Sequence, residues 1–260
     1  MKPFSDYHNH PQAHKLQPYT LDLLEPWSKS ARAKGLTDIA VTDHDRYHTG
    51  VNFDIIDLWR ERNPDLNLRA GIELDNDPET AAAGRAWVEK NWNRLDFVLG
   101  SVHYLAGKTK MFDAADEAGQ FAERPIDAIY QDYIGQVETM IARGHIDCLS
   151  HLDLVKIHRF RPETPALTLF EPLLEKIKKA DLAMEINTAG WRKPVGEQYP
   201  EIALLRRAVE LGIPITFSSD AHSHVQLGEN YDQLALIAEE AGIHEVALFE
   251  RHRRTMKALA

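Results

Sequence analysis

The sequence predicts an α/β chain folded as a distorted seven-unit parallel barrel, (β/α)7, in a single domain. Three observations predict it. Seven short, continuously apolar runs alternate with seven stretches of helical period, which is how parallel strands buried on both faces read beside their crossover helices. The length of 260 residues matches the ~250 residues that a TIM-like barrel needs. Gly144, Gly212 and Gly242 each follow a helical stretch and precede the next element, as helix C-terminal signals do. Strict alternation implies right-handed crossovers and a parallel sheet. Seven units are one short of the eight-unit barrel, hence the distortion. An open doubly wound sheet is the alternative.

The predicted strands are Phe4–His8, Asp38–Thr42, Leu68–Glu73, Phe97–His103, Ile146–His151, Leu182–Asn187 and Pro214–Asp220. The first predicted helix, Thr20–Lys34, carries Leu21, Leu24, Trp27 and Ala31 at helical spacing and ends before Gly35. Pro26 inside it argues for a later start. Phe53–Arg62, Pro78–Asn91, Ile126–Arg143, Leu167–Ala180, Glu201–Leu211 and Tyr231–Ala241 complete the helices. The longest connection, Tyr104–Pro125, follows a strand end. It reads either as a lid over a site or as a solvated excursion.

Composition narrows the function. The net charge is −10, from 30 basic and 40 acidic side chains, which argues against nucleic acid or an anionic membrane as main partner. Hydrophobic content of 43% supports a real core. The single Cys148 excludes an intrachain disulfide and fits a reducing compartment. The N-terminus has no signal-peptide apolar run, and no stretch approaches the ~20 apolar residues of a membrane span. A cytoplasmic location is expected; oligomeric state is not legible.

The most informative pattern is the placement of histidine. Of 13 histidines, His8, His10, His44, His103, His151 and His222 lie at or just past the ends of the predicted strands, and Glu73 and Asp220 occupy equivalent places. Strand C-terminal ends are where a β/α barrel gathers its active site. His8 and His10 are two apart on an extended run and point to the same side. Imidazole and carboxylate are the usual ligands of divalent metals, so the pattern predicts a multi-metal hydrolytic site. His14 follows His10 closely enough to line the same mouth. His48, His145, His158, His224, His244 and His252 do not share the strand-end pattern.

Asp6-x-His8-x-His10, Thr42-Asp43-His44, Gly71-Ile72-Glu73, Gly100-Ser101-Val102-His103, Ser150-His151-Leu152-Asp153 and Ser219-Asp220-Ala221-His222 together resemble the polymerase-and-histidinol-phosphatase (PHP) domain. The likeness runs from about residue 5 to 242 with the motifs in the family's order, and the chain is read as one such domain over residues 1–260. Phe97–Tyr104, His151–Lys156 and Glu185–Pro194 look most like the histidinol-phosphate phosphatase branch.

The resemblance implies three divalent ions drawn from Zn, Mn and Fe. By position, one ion takes His8, His10, Glu73 and Asp220. A second shares Glu73 and adds His103 and His151. A third takes His44 and His222 with a first-loop histidine. In the family that histidine comes about six residues after the second histidine of the first motif, whereas His14 comes four after His10.

The implied activity is hydrolysis of L-histidinol phosphate to L-histidinol and phosphate, a step of histidine biosynthesis. Metal hydroxide would attack the ester in line, with Glu73 bridging two ions and Asp220 or His222 supplying the leaving-group proton. Two basic stretches, Lys156–Pro162 and Arg192-Lys193, follow barrel strands, and arginine suits phosphate. The family's phosphate-binding arginines map to Arg161 and Arg192. Asp113, Asp116 and Glu197 are candidate partners for the substrate's amine and imidazole. The alternatives are a phosphoesterase of the same fold acting on a nucleotide or sugar phosphate, a metal-dependent amidohydrolase, and a non-catalytic metal-binding domain. No lysine at a predicted strand end offers the carboxylated bridge of many amidohydrolases.

Overall fold

The computed structural model describes residues 3–122 and 124–259. Seven strands form one sheet: β1 (Ser5–Asp6), β2 (Asp38–Val41), β3 (Asn67–Leu74), β4 (Phe97–Gly100), β5 (Cys148–Leu149), β6 (Ala183–Asn187) and β7 (Ile215–Ser218). Each pairs in parallel with the next in sequence order. The two edges meet where Tyr7 N donates to Phe217 O (2.9 Å), His10 N to Ala221 O (2.7 Å) and Ala221 N to His8 O (3.2 Å). A doubly wound sheet would hold β1 in its middle. Here β1 lies beside β7, and the sheet closes into the expected distorted barrel.

Helices α1 (Leu21–Lys34), α2 (Phe53–Arg62), α3 (Ala81–Asn91), α4 (Ile126–Arg143), α5 (Ala166–Lys179), α6 (Ile202–Glu210) and α7 (Tyr231–Glu240) follow the strands in turn. Each buries one stripe: Leu24, Trp27 and Ala31 in α1, Phe170, Leu173, Leu174 and Ile177 in α5, as 3.6-residue periodicity requires. Pro26 does not delay α1. The Thr20 side chain accepts from Leu23 N at 3.2 Å and starts the helix at Leu21, leaving Pro26 inside it at the cost of one intrahelical bond. α3 starts later than expected, at Ala81 rather than Pro78, because the Asp77 side chain accepts from Glu79 N at 2.8 Å and holds a turn there.

Most strands end earlier than the apolar runs suggest. β1, β4 and β7 stop at Asp6, Gly100 and Ser218, before His8, His103 and Asp220. The ladder gives out as the strands splay at the rim, and the site residues leave it to turn inward. Asp220 does so in the left-handed region, at φ 51°.

The sequence reading missed a C-terminal antiparallel hairpin, β8 (Glu245–Glu250) and β9 (Arg253–Ala258). Its turn is Arg251-His252, both at positive φ (48° and 61°). That chain reversal lacks the Asn-Gly or Asp-Gly signature of such turns. The hairpin closes the end of the barrel opposite the site. Phe249 packs 4.9 Å from Phe97 and 6.3 Å from Tyr7, ring to ring, and Phe249 N donates to the Tyr7 hydroxyl at 3.0 Å. Arg251 N and His252 N bond to Asp96, and His252 Nδ1 lies 2.8 Å from Asp147. Asp96 and Asp147 immediately precede β4 and β5. Cys148 is buried as a free thiol. Among the described residues no helix is long and apolar enough to cross a membrane.

Candidate metal centre

Residues from every barrel strand except β6 bring imidazole or carboxylate to one place at the C-terminal rim. Glu73, at the end of β3, is the hub. Its Oε1 lies 3.5 Å from His8 Nε2, 3.5 Å from His151 Nε2 and 3.8 Å from His103 Nε2. Its Oε2 lies 2.7 Å from His44 Nδ1 and 3.6 Å from His10 Nε2. Asp220 Oδ1 lies 3.2 Å from His10 Nε2, 3.8 Å from His8 Nε2 and 3.6 Å from His222 Nδ1. His14, itself exposed, stacks its ring 4.1 Å from that of His222 and 5.2 Å from that of His44. All nine residues singled out in the sequence therefore meet.

The unpaired atoms say what the cluster suits. His8 Nε2, His222 Nε2, both ring nitrogens of His10, His44 Nε2 and Glu73 Oε1 are buried without a hydrogen-bond partner. Buried polar atoms are nearly always paired, and an array of unpaired lone pairs facing one space fits divalent cations. Three groupings have ligand atoms close enough to share an ion: His8, His10 and Asp220; Glu73, His103 and His151; His10, His44 and His222. A fourth, His44, Asp75 and His103, includes a residue not singled out in the sequence. Burial works to raise the pKa of the Glu73 carboxyl, but the imidazoles of His44 and His8 outweigh it and hold it well below the usual range. Burial and His8 act in the same opposing way on Asp220, which also lies low. Burial disfavours charge on His103, yet Asp75 and Asp113 more than offset that and push it up to about 10.

A second set of side chains orients the first. Glu185 on β6 lies 3.1 Å from His8 Nδ1 through each oxygen and accepts from His151 N at 2.8 Å. Asn187 donates to Glu185 at 2.7 Å and to Asp220 at 3.3 Å. Asp75 sits 3.0 Å from His103 Nδ1 and 2.5 Å from Arg46. Asp43 accepts from the Tyr19 hydroxyl at 2.6 Å and from Gln12 N at 2.9 Å, with His10 Nδ1 at 4.0 Å. None of these roles was read from the sequence. The signal for Glu185 was there: a carboxylate inside the apolar run Leu182–Asn187 needs a buried partner.

The basic residues divide. Arg192 sits at the rim, where one terminal nitrogen donates to Ser219 O (2.6 Å) and Asp220 O (3.1 Å) while Nη1 lies 3.4 Å from Glu229. It borders an outer groove of about 280 Å³ together with His14, Lys193 and His222. Arg161 is not brought there. Its guanidinium pairs with Glu197 (2.5 Å) and Glu201 (3.4 Å), and the basic side chain that reaches the inner cavity, of about 70 Å³, is Lys193. Glu197 is also held by Lys156 at 2.8 Å, whereas Asp113 borders the inner cavity.

The Tyr104–Pro125 connection covers the site. Met111 and Asp113 line the inner cavity, while Phe112 and Phe121 are buried and anchor it. Phe121 stacks on Phe160 at 5.1 Å, and Phe112 O lies 2.8 Å from His158 Nε2. Glu123 within it lies outside the described residues.

Comparison with known proteins identifies the family. The PHP domain family model matches residues 6–189. The chain is 36% identical over 191 residues to a probable histidinol-phosphatase of Deinococcus radiodurans, covering 73% of this chain and 70% of that protein. It is 23% identical over 250 residues to the histidinol-phosphatase of Bacillus subtilis, covering 81% and 91%. The barrel superposes with a TM-score of 0.73 and 21% identity on a histidinol phosphate phosphatase of Lactococcus lactis solved with zinc, L-histidinol and phosphate, covering 98% of this chain and all of that one. This chain belongs to the PHP domain family.

Proposed function

We propose that this protein is a metal-dependent phosphomonoesterase that hydrolyses L-histidinol phosphate to L-histidinol and phosphate. The observation that carries the reading is the buried array of unpaired imidazole nitrogens and carboxylate oxygens around Glu73, in a chain whose relatives are named histidinol-phosphatases. Three divalent ions are proposed. His8, His10, Glu73 and Asp220 hold the first, Glu73, His103 and His151 the second, and His44 and His222 with His14 the third. Zn, Mn and Fe all suit such ligands.

When bound, such ions polarise a phosphoryl oxygen and lower the pKa of water at the site. The protein's own part is positioning. Glu73 offers one oxygen toward His8, His103 and His151 and the other toward His10 and His44, which is the disposition of a bridging ligand. Arg192 and Lys193 border the groove where the phosphate enters. Arg161 joins them only by exchanging Glu197 and Glu201 for phosphate. Asp220 or His222, which border inner cavity and groove alike, would take up the proton released by the attacking water and pass it to the departing alkoxide. The Tyr104–Pro125 cover excludes bulk water.

Steady-state phosphate release by the zinc- or manganese-loaded protein tests the reading, with L-histidinol phosphate set against nucleotide and sugar monophosphates. A kcat/KM for L-histidinol phosphate well above the rest is expected. Equal rates across the panel would leave a phosphoesterase of different specificity. Release from none of them would defeat the enzymatic reading.

A further inference from the structure

We propose that the phenolic hydroxyl of Tyr199 donates a hydrogen bond to a phosphoryl oxygen of the ester held at the metal cluster; this rests on the phosphatase reading above. Tyr199 follows β6, and its side chain lines the same inner cavity as Glu73, His103 and His151. Its ring meets that of His151 edge-on at 6.3 Å. The residue is 1% exposed, yet its hydroxyl has no hydrogen-bond partner.

The other buried tyrosines show what is unusual. The hydroxyls of Tyr7, Tyr19 and Tyr104 donate to Asp38, Asp43 and Asp77 at 2.6, 2.6 and 3.1 Å. Those of Tyr130, Tyr133 and Tyr231 donate to main-chain oxygens at 2.9, 3.3 and 3.0 Å. Among the described buried tyrosines, the one without an acceptor is the one at the metal cavity. A buried hydroxyl without a partner bears its full desolvation cost, and phenylalanine would fill the same volume without it. The acceptor therefore belongs to what enters the cavity. A neutral phenol offers a donor, and the anionic oxygens of a phosphate are the strong acceptors that the proposed reaction brings there.

The ring is held in place before anything binds. Asn187 N donates to Tyr199 O (2.7 Å) and Tyr199 N to Asn187 O (3.0 Å). The Lys156 ammonium sits 5.3 Å from the ring centroid, itself fixed by Asp153 and Gln198 O at 2.8 Å each. Gly190 permits the close approach of this segment: a Cβ there would lie 1.9 Å from Glu197 O and 3.0 Å from the Tyr199 ring. A donor fixed this way reaches its acceptor with little ordering cost.

Tyr199→Phe tests the assignment, with Tyr130→Phe as control. Metal content, melting temperature, kcat/KM for L-histidinol phosphate and p-nitrophenyl phosphate, and inhibition by inorganic phosphate are measured. For Tyr199→Phe, kcat/KM falls and the phosphate inhibition constant rises, each by about 10- to 100-fold, with metal content and melting temperature kept. Tyr130→Phe lowers the melting temperature and leaves phosphate affinity alone. Kinetics of Tyr199→Phe within twofold of wild type, or a loss that tracks metal content or melting temperature, would overturn the assignment while the phosphatase reading stands. Wild-type protein that hydrolyses no ester and binds no phosphate would overturn both.

Discussion

His8 Nδ1 lies 3.1 Å from both carboxylate oxygens of Glu185, across the barrel from β1 to β6. The contact fixes the ring so that Nε2 faces Glu73 and Asp220. Carboxylates behind ligand imidazoles commonly tune metal affinity. Glu185→Gln is expected to fold normally and to bind zinc about 10- to 100-fold more weakly, measured by chelator competition. Wild-type affinity in that variant would show that the orientation of His8 does not depend on the carboxylate's charge.

Glu73→Ala removes the one side chain that approaches five of the histidines. Elemental analysis is expected to show loss of two of the three proposed ions, with nearly all phosphate release gone. Unchanged metal content would contradict the bridging role. In wild-type protein, chelator treatment should abolish activity and added zinc or manganese should restore it.

The two arginines should behave differently. Arg192 borders the groove with only Glu229 near its Nη1, at 3.4 Å, so Arg192→Ala should raise KM for the phosphate ester by about 10-fold or more while metal content stays intact. Arg161 is occupied by Glu197 and Glu201, and Arg161→Ala should change KM less. Steady-state kinetics of both variants decide this, and an Arg161 effect as large as that of Arg192 would mean that it swings to the phosphate on binding.

The hairpin gives a pH prediction far from the metals. Burial works against charge on His252, but its contact with Asp147 outweighs that and raises its pKa above the ordinary 6.5. A raised folded-state value means that the ion pair stabilises fully below about pH 6.5 and is lost as pH rises through the raised value. The melting-temperature gap between wild type and His252→Asn should be widest near pH 6 and shrink toward pH 9. A remainder should persist from the ring's stacking on Trp92 at 3.5 Å. A gap that does not change with pH would refute the charged pair.

Phe249→Ala should cost about 3–5 kcal/mol, as for other buried aromatics. It empties the contact among Tyr7, Phe97 and Phe249 at the end of the barrel opposite the site. Denaturant unfolding measures it, and a cost below about 1 kcal/mol would make the hairpin an appendage rather than a plug.

The alternation of seven strands and seven helices was legible in the sequence because apolar periodicity and helix-ending glycines are local properties of the chain. So was the set His8, His10, His44, Glu73, His103, His151, Asp220 and His222, because a residue's place at a strand end is also local and the barrel rim gathers strand ends; His14 was legible only from its nearness to His10 and from the family likeness. Closure of the barrel decided the rest. It set Glu185 behind His8, Asp75 behind His103 and the unpaired Tyr199 hydroxyl at the cavity, and it left Arg161 bound to Glu197 and Glu201. It also seated the hairpin Glu245–Ala258 under the barrel through Asp96 and Asp147. Each of these joins residues far apart in the chain, and which nitrogen meets which oxygen depends on strand register and splay, which no run of neighbouring residues encodes.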